Sequence, residues 1–76
     1  MKLKSYLEIL QEKSDALDVK LIDAFKWKDI AITTYYRTIK GQTELRYETA
    51  RLVNKALEEI HALRKHREEI KANQNG

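Results

Sequence analysis

The sequence predicts an all-α fold: a small domain of four to five helices that ends in an extended C-terminal helix. Three observations lead there. Proline is absent and only two glycines occur in 76 residues, one of them terminal, so little interrupts a helix. Apolar residues recur three and four apart over most of the chain. Just over a third of the residues are charged, and β-branched runs are few. A chain of this length builds one domain with a small core, of modest stability unless subunits associate.

Leu3, Tyr6, Leu7 and Leu10 place a first amphipathic helix up to about Lys13. Ser14-Asp15 offers a break, and Asp18 is a good N-cap for a second helix through Val19, Leu21, Ala24 and Phe25. The series Leu3, Leu7, Leu10, Ser14, Leu17, Leu21 and Ala24 also suits one continuous helix; the break favours two. Trp27-Lys28-Asp29 reads as a turn, and Ile30 as the apolar residue that pins it to the core. A third helix follows from Ala31 or Ile32 to Lys40. Gly41 stops it, because glycine adopts the left-handed conformation at a helix end without strain. Gln42 to Arg46 forms a loop with Leu45 tucked inward. A last helix starts at Tyr47 or Glu48, with Leu52, Val53, Ala56, Leu57, Ile60, Leu63 and Ile70 as its apolar positions. That series is longer than the domain covers. Residues 1–60 therefore form the domain and 61–76 a helical extension with a frayed tail.

Composition removes several functions. Without cysteine there is no disulfide framework or thiolate metal site, which fits a reducing compartment. His61 and His66 are five apart, a poor fit to one helical face, so no metal is expected. No apolar run approaches membrane-spanning length, and the N-terminus has neither the apolar core nor the cleavage site of a signal peptide. A cytoplasmic protein without membrane association is expected. Nothing pairs a nucleophile with a base, and no glycine-rich loop could cradle a phosphate. No enzyme, cofactor or small-molecule ligand is expected.

The net charge is +3, and its distribution matters more than its size. Residues 1–18 carry three lysines against four acids; residues 19–51 carry seven Lys/Arg against four Asp/Glu; residues 52–76 carry five against four. The excess is centred on the third helix, as an electrostatic footprint for phosphate requires.

The segment Ile30–Gly41, IAITTYYRTIKG, reads as the second half of a helix-turn-helix, and LRYETARLVNKAL follows it as a Glu-Thr helix with an apolar i, i+3, i+4 pattern. Together these resemble the Cro/repressor-type helix-turn-helix DNA-binding family, and ITTYYRTIKG is also similar to the motif of some transposon-associated proteins. The resemblance covers roughly Val19 to Leu57. It implies double-stranded DNA as partner, a recognition helix at about 31–40 in the major groove, and a phage or other mobile-element regulator of transcription. The chain departs from the pattern in the turn. Asp29 stands where the turn glycine is usual, and Ala31 where a hydroxyl N-cap is usual, which leaves Thr33 as a substitute cap. One extra turn residue would put Ala24 at the close-approach position and Trp27 in the hydrophobic slot.

Tyr35 and Tyr36 are adjacent, so only one points inward. Burial of Tyr35 and Ile39 would direct Ile32, Thr33, Tyr36 and Arg37 at base edges, with Arg37 able to take guanine O6/N7 bidentately. Lys26, Lys28, Lys40 and Arg46 are the expected phosphate contacts. The bland reading of Arg37 and Lys40 is a solvated helix end favoured by the dipole. Val53, Ala56, Ile60, Leu63 and Ile70 keep a coiled-coil spacing and are the expected seam of a homodimer. The competing function is a helical protein-interaction module, such as an antitoxin, anti-repressor or adaptor, that uses the scaffold without DNA.

Overall fold

The computed structural model describes residues 4–74, with side chains through Glu69. They form four helices and no strand: α1 (Tyr6–Leu17), α2 (Leu21–Trp27), α3 (Ile32–Ile39) and α4 (Tyr47–Gln74). Leu3, assigned above to the first helix, lies outside the described residues. Among the described residues no helix is long and apolar enough to cross a membrane.

Two separate helices precede the turn, but their boundary differs from expectation. The first does not stop near Lys13; it continues to Leu17, and Ser14 is buried in it. Asp18 is not the N-cap of α2. It ends α1 in the left-handed region at φ 54°, and α2 starts from Lys20 with no side-chain cap. The start of α1 is better made: Ser5 Oγ accepts from the Glu8 amide at 3.2 Å, half of the S-x-x-E capping box legible at Ser5–Glu8.

The first three helices end alike. In each, an amide bonds back five residues and its predecessor bonds back three: Val19 to Ser14 and Asp18 to Asp15, Ile30 to Phe25 and Asp29 to Lys26, Gln42 to Arg37 and Gly41 to Thr38. This Schellman pattern needs one left-handed residue, and Asp18, Asp29 and Gly41 supply it at φ 54°, 56° and 77°. Asp29 thus occupies the conformation for which glycine is usual. Its Cβ carries a penalty there, reduced because Asp tolerates this region better than most residues. Asp29→Gly is expected to stabilise the domain by about 0.5–1 kcal/mol, a Tm rise of roughly 2–8 °C in a calorimetric scan. A fall in Tm would mean that the Asp29 side chain contributes more than the strain removes.

The core consists of Leu10, Val19, Leu21, Ala24, Phe25, Leu45, Ala50, Val53, Ala56, Leu57 and Ile60, with Leu7, Leu17, Ile30 and Tyr35 packed against it. The long helix α4 is the spine, flanked by α1 and α2, whereas α3 packs chiefly on α2. Polar contacts tie the spine to its neighbours. The Lys13 ammonium donates to Asn54 Oδ1 at 2.7 Å, and Arg64 donates to the Asp18 carbonyl at 2.8 Å. The extension therefore touches the domain beyond Ile60, up to Arg64.

Candidate nucleic-acid interface

Three contacts hold α3 in place. Tyr35 places its ring edge-on against Phe25, with centroids 5.3 Å apart and planes at 74°. Ile30 packs on the core just before the helix. Thr38 is 3% exposed, and its hydroxyl donates to the Thr34 carbonyl at 2.8 Å. This last contact lets a threonine sit inside without an unpaired polar atom.

That inward set differs from expectation at one position. Tyr35 turns in, but Ile39 does not; it is 40% exposed, and Thr38 takes the inner place. The angular step of a helix explains the difference. Thr34, Tyr35 and Thr38 share the inward arc, with Thr38 at its middle, and Ile39 lies about 100° past Thr38. The helix consequently turns its less apolar side inward and exposes Ile32, Tyr36 and Ile39.

Of the expected base-contacting residues, Ile32, Thr33, Tyr36 and Arg37 are all exposed on the outer side of α3. The outer side divides into two rows at i, i+4, i+7 spacing. Ile32, Tyr36 and Ile39 make an apolar row; Thr33, Arg37 and Lys40 make a polar, cationic one. No acidic residue lies between Asp29 and Glu44. The Tyr36 ring is braced edge-on by Tyr35 at 5.3 Å, so the buried Phe25 orients an exposed aromatic through one intermediary. Ala31 is the N-cap and gives no side-chain bond. Thr33 does not replace it: it is the second residue of the helix, and the cap is Ala31.

The expected phosphate contacts divide. Lys26, Lys40 and Arg46 are exposed. Lys28 is half-buried, and its ammonium is bound to the Glu59 carboxylate of α4. That ammonium holds the Glu59 carboxyl below its ordinary range, and the Trp27 indole N–H adds to the effect. A depressed carboxyl pKa means a contact intact at neutral pH and lost as pH falls through the acid range. Lys28 is therefore engaged inside the domain, unlike the three free-standing cations expected beside it. Trp27 itself is 46% exposed and does not fill the slot assigned to it, while Ala24 is fully buried in the close-approach position.

Three of the five residues expected in a dimer seam are taken up by the domain itself. Val53 and Ala56 are fully buried and Ile60 is 7% exposed, all in the domain's own core between α1 and α2. The 4-3 spacing is the same for an intermolecular seam and for a spine flanked by two short helices, and here the second applies. Leu63 remains exposed, and the Ile70 side chain lies outside the described ones. Leu52, one of the apolar positions of the last helix, faces outward, and Ala50 is buried.

The site and the fold together define a small all-α domain that projects one short helix on a narrow base. Compared with known protein families, curated proteins and solved structures, the chain matches none.

Proposed function

We propose that the protein is a small, non-catalytic regulator that binds double-stranded DNA sequence-specifically in the cytoplasm, with α3 in the major groove. The observation that carries this reading is the outer side of α3. It offers hydroxyls, a guanidinium and an ammonium with no acid among them, on a helix whose inner side meets chiefly α2. The exposed Lys26 at the end of α2 and Arg46 just before α4 supply further positive charge. A phage or mobile-element origin belongs to the same proposal and rests on the family resemblance.

The runner-up, a protein-interaction module, is favoured by exposed apolar side chains. Besides the α3 row, Tyr6, Ile9 and Tyr47 line a groove where α1 meets α4, with the two tyrosine rings 6.2 Å apart. Site selection from a random duplex pool, followed by gel shifts at low and moderate salt, separates the two readings. DNA binding is expected to yield a consensus and an affinity that falls as salt rises. The spacing of any repeated half-sites reports whether two copies act together. No retention of duplex at either salt would exclude the DNA reading.

A further inference from the structure

We infer that the half-site read by α3 contains adjacent thymines whose C5-methyl groups pack against Ile32, Tyr36 and Ile39; this inference rests on the DNA reading above. The starting point is the inverted helix. Ile32 and Ile39 are each 40% exposed and Tyr36 is 51% exposed, while Thr34 and Thr38 face inward. An apolar row left outward needs a partner with apolar surface. In the major groove the thymine methyl is the one apolar feature that a base edge offers.

Charge decides for DNA as the occupant. The cationic row Thr33, Arg37, Lys40 runs parallel to the apolar row about a quarter-turn around the helix. Segment 30–43 contains no acid, so α3 itself presents no negative charge to a phosphate. One row thus offers hydrogen bonds and charge for guanine and phosphate, and the other offers surface for methyl groups. Ile39 extends the apolar row over nearly the full length of the helix, and it is available only because Thr38 occupies the inner position. A row of that length reaches more than one base step. The Tyr36 ring is held by Tyr35, so its contact with a methyl does not require ordering a free side chain.

The test uses the full chain and the duplex obtained by site selection. Thymines of the selected half-site are replaced singly and together by deoxyuridine, which removes the methyl and keeps every hydrogen-bonding group. Each contacted methyl is expected to contribute about fourfold in affinity. Replacement outside the half-site should change nothing. In Ile32→Ala and Ile39→Ala chains, both altered at exposed positions, the difference between thymine and uracil duplexes should shrink. Specific binding that is indifferent to uracil overturns the thymine inference and leaves the DNA reading standing. So does a uracil effect that persists undiminished in both variants, because the methyls are then read elsewhere. No binding to any duplex overturns both.

Discussion

Phe25→Ala is expected to remove a large share of the domain's stability. Phe25 is fully buried, and it is the largest of the fully buried side chains, ahead of Leu57 and Val53. Truncating such a residue costs about 3–5 kcal/mol through lost transfer energy and the cavity left behind. A chain of this length has a total stability of roughly 4–11 kcal/mol, so one substitution takes a large share of it. The edge-on contact with Tyr35 is lost as well, worth about 0.5–1.5 kcal/mol beyond area. Because Tyr35 in turn braces Tyr36, the variant should also loosen the outer side of α3 in whatever fraction remains folded. Urea titration followed by circular dichroism measures the loss. A loss below about 1 kcal/mol would mean that the interior between α2 and α3 can collapse onto the space, and that Tyr35 is not held as described.

Arg37→Ala is expected to lower affinity for the selected duplex by roughly 5- to 150-fold and to relax discrimination at one base pair. This is the range for losing a bidentate contact worth about 1–3 kcal/mol. Affinity for random duplex should fall much less. Arg37 is exposed and the domain core does not include it, so folding should be unaffected. Lys26→Ala provides the contrast: weakening of all sequences alike, with a salt slope shallower by about one. Lys28→Ala should flatten the slope less than Lys26→Ala, because Glu59 already engages that ammonium. Competition binding over a salt series reads all three variants. Equal losses on selected and random DNA for Arg37→Ala would remove its role as a base-reading residue.

Much of the fold was legible because local signals agree with it. The absence of proline, the apolar periodicities and Gly41 indicate four to five helices, of which four form, and the end of the third. The inward turn of Leu45 and the start of α4 at Tyr47 also follow from sequence. The boundary near residue 18 was misread for a local reason. Asp suits both an N-cap and a left-handed C-terminal position, and only the hydrogen bonds back to Ser14 and Asp15 distinguish them. The start of α1 was missed, although the Ser5–Glu8 spacing of a capping box marks it.

The candidate site was legible in composition and less so in orientation. Ile32, Thr33, Tyr36 and Arg37 face outward as read, but the inner place expected for Ile39 belongs to Thr38. Hydropathy favours burying isoleucine over threonine, and no local rule predicts the reverse. The reverse holds because the inward arc is centred on Thr38, with Tyr35 at its edge against Phe25, and the Thr34 carbonyl satisfies the Thr38 hydroxyl. Similarly, the spacing of Val53, Ala56 and Ile60 specifies an apolar row without specifying what covers it. The answer lies in where α1 and α2 fold back, a contact between residues far apart in sequence.

By itself, then, the sequence determined the helical class, the charge excess within residues 19–51 and the residue types on α3. Those properties depend on neighbours within one or two helical turns. Tertiary structure alone decided the inverted face of α3, the engagement of Lys28 by Glu59 and the burial of Val53, Ala56 and Ile60. Each of these depends on which surfaces meet when the chain closes on itself. Periodicity marks a face as apolar, but packing determines whether a neighbour covers it or leaves it to a partner.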